Sequence, residues 1–160
     1  MAERAYITIT GQAQGTFAGD GSGGKNKDRI HIYSYAFSGQ PPRDAATGQP
    51  TGKRRYYPVV VAKEWGPASV QIWTALATNE RLTEVLIEFI AGNPHGLEQV
   101  DHSITLTNAW ISEVRGYTER VPPIDGTEMR PLDEVSFVFE KIEMRDKGGK
   151  EFADDWAQQP

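Results

Sequence analysis

Residues 133–144 have the sequence Asp-Glu-Val-Ser-Phe-Val-Phe-Glu-Lys-Ile-Glu-Met, which begins with apolar and polar residues in alternation. Because successive side chains of a strand point to opposite faces, Val135, Phe137 and Phe139 share one face. β-Branched and aromatic residues of this kind are typical of strands. The stretch therefore predicts a β-strand with one face in a hydrophobic core.

Further stretches of the chain are enriched in β-branched and aromatic residues in the same way. They predict strands at residues 5–10, 30–38, 56–64, 84–91 and 102–115. Pro58 lies inside the third of these stretches and limits its pairing, because proline has no N–H to donate to a neighbouring strand.

One stretch predicts a helix, which begins near Pro67 and ends near Asn79. Proline suits the first position of a helix because the N–H that it lacks would have no partner there. Val70, Trp73 and Ala77 recur at spacings of three and four residues, and Ile72 and Leu76 are four residues apart. This spacing indicates a broad apolar side that packs against the sheets.

Segments 11–29, 39–55 and 116–132 are rich in glycine, proline or charged residues, and they predict long loops. Neither an internal repeat nor a domain boundary is evident, so residues 1–160 are interpreted as a single domain. Six strands and one helix indicate a mainly β fold, either a barrel or a sandwich.

The composition excludes several functional classes. The net charge of −5 argues against general affinity for nucleic acid, which needs a basic surface. The absence of cysteine excludes disulfides, thiolate metal sites and cysteine nucleophiles. The sequence shows neither a signal peptide nor the run of about 18 apolar residues that a membrane helix needs. We therefore expect no membrane insertion, and no cleaved signal if the protein is exported.

No pattern typical of a catalytic or metal site is found. His31, His95 and His102 lack the spacing of metal ligands. Asp101-His102-Ser103 has the composition of a catalytic triad, but adjacent strand residues point to opposite faces, so we expect no relay. The sequence accordingly predicts no enzyme, no cofactor and no metal.

The glycine-rich residues 19–24 precede Lys25, as in a phosphate-binding loop. That motif requires serine or threonine after the lysine and then a helix, whereas Asn26 and a predicted strand follow here. We expect a flexible hairpin loop at this position.

Lys53-Arg54-Arg55 forms a basic cluster at the end of the loop 39–55. Three charges are too few for strong binding of nucleic acid by an acidic protein. Two interpretations remain open, a solvated loop edge and a contact with a partner that carries carboxylates.

The stretch 30–38 has two contrasting faces. Its alternation predicts that Tyr33, Tyr35 and Phe37 lie on a core face. The opposite face carries the residues Ile32, Ser34, Ala36 and Ser38. Its small side chains fit solvent, a neighbouring subunit or the wall of a channel, and the pattern alone does not choose among these.

Several segments together resemble one protein family. The first is Thr51-Gly52-Lys53-Arg54-Arg55-Tyr56-Tyr57-Pro58-Val59-Val60-Val61-Ala62-Lys63-Glu64. In order along the chain, the others are Ala5–Ile9, Ala68-Ser69 with Leu76, Leu82–Val85, Ile104–Ala109, Glu134–Glu143 and Asp154-Asp155-Trp156. Their order and spacing resemble the Hcp family (haemolysin-coregulated protein), the tube protein of type VI secretion systems. The resemblance covers nearly the whole chain.

The resemblance implies two packed antiparallel sheets that close into a β-barrel beside one α-helix. It implies that six copies form a ring, that rings stack into the inner tube of the secretion machine, and that the subunit is not an enzyme. The implied partners are a spike protein, a sheath and small effectors carried in the lumen. The protein would be made in the cytoplasm and then secreted without a signal peptide.

The resemblance also implies roles for particular residues. The second strand of the family contributes to the lumen wall, which matches Ser34 and Ala36 here as candidates for effector contact. The loop after it contacts neighbouring rings or the spike, which matches Arg43, Lys53, Arg54 and Arg55. The glycine-rich loop 11–29 departs from the family pattern. The alternative interpretation is a tail-tube protein of a phage or of another contractile injection system.

Overall fold

The computed structural model describes residues 4–20, 27–49, 51–52, 54–92, 98–118 and 131–155. Its strands are β1 (Arg4–Gly11), β2 (Gly15–Thr16), β3 (Ile30–Ile32), β4 (Ser34–Ala36), β5 (Gly39–Gln40), β6 (Arg55–Tyr56), β7 (Val59–Glu64), β8 (Leu82–Gly92), β9 (Glu98–Tyr117), β10 (Leu132–Asp146) and β11 (Glu151–Asp155). The helix α1 (Ala68–Thr78) follows β7. These elements confirm the mainly β prediction with one helix.

Nine of the described strands form one antiparallel sheet. The order along its main path is β2-β1-β8-β9-β10-β7-β4, while β3 pairs with β1 and β11 pairs with β10. Strands β5 and β6 pair separately as a two-stranded ribbon. Pro58 lies between β6 and β7, so the predicted strand 56–64 is divided at the residue that cannot donate to a ladder.

The hydrophobic core lies under the inward faces of the strands and the inner side of α1. In β10, Val135 and Phe137 are completely buried and Phe139 is nearly so, as the alternation in this stretch predicts. The other strands add the fully or almost fully buried residues Ile7, Ile9, Val59, Val61, Val85, Ile87 and Leu106. Each such side chain contributes about 1.5–3 kcal/mol on burial, so this core is the main source of stability.

The alternation of the central strands changes phase at Asn108. In β9, Leu106 is buried on one side of this residue and Ala109 on the other, an odd spacing that a regular strand does not give. Asn108 has a φ of 54°, the left-handed conformation, and its side-chain Nδ2 donates to Glu140 Oε2 at 3.1 Å. In β10, Phe139 and Ile142 flank Glu140 with the same odd spacing. The two strands therefore bend together at one pair of residues.

Helix α1 packs through only part of the side that the spacing predicts. Its buried residues are Ala68, Ser69, Ile72 and Ala75. Val70 is 62% exposed and Trp73 is 39% exposed, so the prediction is wrong for these two residues. Ile72 is buried and Leu76 packs against the core, as their spacing predicts. The side chains of alanine and serine are small enough for the helix to lie close to the sheet, and Val70 and Trp73 are left outside.

The predicted loops contain short paired segments that sequence patterns did not indicate. Strand β2 lies in the segment 11–29 and forms a hairpin with β1, in which Gly15 has a φ of 72°. The ribbon β5–β6 lies at the two ends of the segment 39–55. Strand β11 lies in the mostly polar segment that follows β10. Of the segment 116–132, residues 119–130 lie outside the described part of the chain.

Candidate functional site

The two residues predicted for a lumen wall, Ser34 and Ala36, lie on the outer face of the sheet. In antiparallel strands, side chains directly opposite each other point to the same side. One row across β4, β7, β10 and β9 is Ser34, Ala62, Glu134 and Arg115. The next row is Ala36, Val60, Ser136 and Glu113. We call Ser34, Ala36, Val60, Ala62 and Ser136 the small-residue face.

A third row lies between these two rows and points to the opposite side of the sheet, where its valines are buried and its tyrosine is half-buried. It consists of Tyr35, Val61, Val135 and Val114. Val61 is 1% exposed and Val135 is completely buried, whereas both Ser34 and Ala36 are exposed. Burial raises the pKa of the Tyr35 hydroxyl. Within the small-residue face, Ser34 and Ala36 are therefore open to solvent, whereas Ala62 and Ser136 are only 4% and 7% exposed.

Tyr33 does not lie on the core face, which corrects the prediction from the alternation of residues 30–38. It is 54% exposed, while Ile32, predicted for the opposite face, is 4% exposed. The chain changes partner here, since β3 pairs with β1 and β4 pairs with β7. The backbone N–H of Tyr33 donates to the Ala62 carbonyl at 2.7 Å, and its hydroxyl donates to Glu64 Oε1 at 2.8 Å. Changing partners turns the strand, so the period-two pattern shifts at this residue.

Charged side chains border the small-residue face. Glu134 and Arg115 form an exposed ion pair at 3.8 Å, and the Arg115 guanidinium lies 4.2 Å from the centre of the Tyr117 ring. Further along β10, Val138 is 40% exposed. The surface thus combines a centre of short side chains with a margin that contains this ion pair and the exposed Val138.

The predicted contact loop is partly tied to its own chain. The guanidinium of Arg54 donates through Nε and Nη2 to the two carboxylate oxygens of Asp154 in β11. The Tyr56 hydroxyl donates to the same carboxylate. The hydrogen bonds from Arg54 hold the pKa of Asp154 below its usual value, and those to Asp154 raise the pKa of Arg54. Arg54 therefore joins β6 to β11 within one subunit.

The other predicted loop residues differ in their surroundings. Arg43 Nη1 donates to the Gly48 carbonyl at 2.9 Å, which folds the loop onto itself. Arg55 is exposed on β6 and forms no ion pair within the described part of the chain. Lys53 lies outside the described residues. The loop therefore offers Arg55 as an outward-facing guanidinium.

A buried ionic cluster, which sequence analysis missed, holds α1 on the sheet. Lys63 is 1% exposed, and its Nζ donates to the Glu64 carbonyl at 2.7 Å and to Ser69 Oγ at 3.0 Å. Ser69 Oγ donates to Asp133 Oδ2 at 2.7 Å and accepts from the Gly66 N–H at 3.0 Å. The cluster is enclosed by β7, β10 and the first turn of α1, so it is a structural tie.

The sequence contained a signal for this cluster. Lys63 alternates with Val59 and Val61, and Asp133 alternates with Val135 and Phe137, so each charge stands on a core face. Two opposite charges on core faces indicate a buried pair, because an unpaired buried charge is too costly. Burial lowers the pKa of Lys63, an effect opposed by the nearby negative charges of Asp133, Asp20 and Glu64.

Asp101 and His102 are in contact, contrary to the prediction that they point to opposite faces. His102 Nδ1 lies 2.8 Å from Asp101 Oδ2, and the His102 ring stacks on Phe89 at 4.2 Å. The pairing of β8 with β9 is irregular here, since Phe89 opposes His102 and Ile90 opposes Val100. Asp101 is thus an extra residue in β9, and such bulges change the direction of side chains.

Among the described residues there is neither a metal-binding cluster nor a membrane-spanning helix. The histidine, aspartate and glutamate side chains of these residues form no group of three that would hold a metal ion. The described residues contain no helix with both the length and the apolar character needed to cross a membrane.

Comparisons with known proteins agree on one family. The family model described as "Type VI secretion system effector, Hcp" matches residues 6–145. The chain is 30% identical over 166 residues to a protein named "Major exported protein" from Pseudomonas aeruginosa, covering 98% of this chain and 96% of that one.

Solved structures show the same fold. A crystal structure of an Hcp protein has a TM-score of 0.88 at 22% identity and covers 99% of this chain and 100% of that chain. The secreted protein Hcp3 from Pseudomonas aeruginosa has a TM-score of 0.75 at 24% identity, with 97% and 99% covered. At these identities the structural likeness establishes the fold alone.

Proposed function

The chain belongs to the Hcp family of type VI secretion proteins, and from this premise we propose that it is the ring-forming subunit of the secretion tube. Six copies form a ring with an open centre, and rings stack into a tube that is exported. The family match supports a secretion tube over the tail tube of a phage. The subunit acts as a structural component and carrier, with no catalytic role.

We also propose that the sheet closes into a barrel. The pairing path runs from β1 through β8, β9, β10 and β7 to β4, and β3 pairs back with β1. Tyr33 alone separates β3 from β4. A barrel of this kind leaves its outer faces available for neighbouring subunits and for a channel.

The small-residue face is proposed as the wall of the lumen, where small effectors are carried. The observation that carries this proposal is the exposure of Ser34 and Ala36 on the face opposite to the half-buried Tyr35 and the buried Val61. Short side chains leave the channel wide, and a wall fixed by the core keeps its shape when cargo binds. The spike, the sheath and the effectors are the proposed partners, and the loop 39–55 is the proposed contact with the spike or the next ring.

The test of the ring is its mass in solution. Light scattering should give six times the chain mass of 17.8 kDa, about 107 kDa. A monomer at high concentration would refute the ring while leaving the fold intact.

The test of the lumen wall replaces Ala36 with arginine. The Ala36→Arg ring should keep its mass and lose effector retention in a co-purification assay, because a long cation then projects into the channel. Arg81→Ala, at an exposed position before β8, is the control and should retain the effector. Unchanged retention by Ala36→Arg rings would show that this face is not the cargo wall.

A further inference from the structure

A pocket of about 290 Å³ opens at the end of β7 where α1 begins. Two aromatic side chains form part of its lining, and both face solvent, Tyr33 at 54% and Trp65 at 46% exposure. The carboxylates of Asp20 and Glu64 also line the pocket. We call these four residues the acidic–aromatic pocket.

The positions of the two carboxylates are fixed by contacts within the chain. Glu64 Oε1 accepts from the Tyr33 hydroxyl at 2.8 Å, which aligns the carboxylate beside the ring. Asp20 Oδ2 accepts from the His31 N–H at 3.0 Å. A Cβ placed on Gly66 would lie 2.9 Å from Asp20 Oδ1, so glycine at this position leaves room for the carboxylate. The pocket is therefore shaped before any ligand arrives.

The charge of the pocket is negative. Lys63 lies behind it, and Asp133 faces Lys63 from β10 at 3.9 Å, so that ammonium is already matched by one buried carboxylate. Among the described residues, Asp20 and Glu64 form no ion pair, so with Asp133 they place three carboxylates around the single Lys63 ammonium. The His31 ring packs edge-on against Tyr33 at 4.7 Å. Exposed aromatic faces beside carboxylates bind a guanidinium by stacking and by charge-assisted hydrogen bonds.

The exposed Arg55, whose charge is complementary to that of the pocket, lies beyond the opposite end of β7. The ribbon that carries Arg55 precedes Val59, whereas Glu64 ends β7. The six residues of β7 span about 17 Å, so the two features cannot meet within one copy along this strand. When two copies are placed head to tail along this strand, Arg55 of one copy faces the acidic–aromatic pocket of the next.

We propose that the acidic–aromatic pocket binds the Arg55 guanidinium of a second copy of this chain, so that rings associate head to tail. The inference rests on the proposed ring and specifies the contact between one ring and the next. Head-to-tail contacts of this type use two different surfaces, do not close on themselves, and extend into a tube.

Sedimentation velocity of the full chain tests the contact and keeps it separate from the ring. Glu64→Gln and Trp65→Ala should leave the hexamer intact and raise the concentration at which hexamers associate by about tenfold or more. The matched controls are Glu151→Gln and Phe152→Ala, at exposed positions on β11, and they should associate as the wild type does. Arg55→Glu and Glu64→Arg should each prevent association, and the double variant Arg55→Glu/Glu64→Arg should restore it.

A small probe tests the chemistry of the pocket itself. Tryptophan is replaced by 5-fluorotryptophan, and the Trp65 resonance is assigned with Trp65→Phe. N-acetyl-L-arginine amide should shift this resonance in the wild type and not in Glu64→Gln, whereas the neutral N-acetyl-L-citrulline amide should have no effect.

The possible failures are distinct. A monomer would overturn the ring and, with it, the contact. Hexamers whose association is insensitive to Glu64→Gln and Trp65→Ala would overturn the contact alone. A shifted Trp65 resonance with unaltered association would show that the pocket binds a cation from another source, which also overturns the proposed partner.

Discussion

The Arg54 guanidinium is bound by both carboxylate oxygens of Asp154, a residue 100 positions later in the chain. The pair fastens β11, which otherwise pairs only with the end of β10 among the described strands. We expect Asp154→Asn to loosen β11, because the amide is neutral and replaces one of the two acceptor oxygens with an NH2 donor that faces a guanidinium N–H. Amide hydrogen exchange should increase in residues 151–155 and stay unchanged in β8.

A matched control for this prediction lies on the same strand. Glu151→Gln breaks an exposed ion pair with Arg145, whose atoms are 2.9 Å apart. Exposed pairs contribute little, so exchange in β11 should change much less than in Asp154→Asn. Equal increases in the two variants would show that the bond to Arg54 does not hold the strand.

The same pair predicts a dependence of stability on pH. The hydrogen bonds from Arg54 lower the pKa of Asp154 in the folded state, so the pair contributes stability above the usual carboxyl pKa of about 3.9. This contribution is lost as the pH falls through the lowered pKa that Asp154 has in the folded state. The difference in Tm between the wild type and Asp154→Asn should be constant near neutral pH and decrease at acid pH. A difference that grows as the pH falls would contradict this assignment.

Alternation of side chains identified most of the fold. It located β1, β8, β9 and β10 because a strand with one buried face carries its hydrophobic residues at every second position. It failed at Tyr33, where a change of partner shifts the phase, and it does not reveal the second phase shift, at the left-handed Asn108. Such shifts depend on pairing between distant strands, which a local pattern does not contain.

The candidate site was predicted in part. Ser34 and Ala36 were identified as a small-residue surface, but the row that they share with Ala62 and Ser136 follows from the register of β4, β7 and β10. The tie between Arg54 and Asp154 was not predicted, since nothing in the sequence indicates which carboxylate meets the loop. The role of Ser34 and Ala36 in a lumen wall and the role of the loop 39–55 in ring contacts remain predictions.

The left-handed conformation of Asn108 predicts an unusual response to substitution. A β-branched residue at a φ of 54° is strained, so Asn108→Val should lower the free energy of unfolding by about 1–2 kcal/mol. Asn108→Gly removes the hydrogen bond to Glu140, but glycine adopts this backbone conformation without strain. The free energy of unfolding of Asn108→Gly should therefore be nearer to that of the wild type. Urea unfolding measures both. A greater loss in Asn108→Gly than in Asn108→Val would exclude backbone strain as the cause.

The buried pair of Lys63 and Asp133 predicts that two substitutions are less harmful together than one alone. Lys63→Met leaves the Asp133 carboxylate without its buried cation, and the free energy of unfolding should fall by about 3–5 kcal/mol. The double variant Lys63→Met/Asp133→Leu removes both charges, so it should recover much of that loss in urea unfolding. Lys141→Met, which breaks an exposed pair with Glu143 at 3.0 Å, is the control and should cost less than about 1 kcal/mol. Additive losses in the double variant would mean that the two charges stabilise the protein independently, through Ser69 and the backbone, and would refute their coupling.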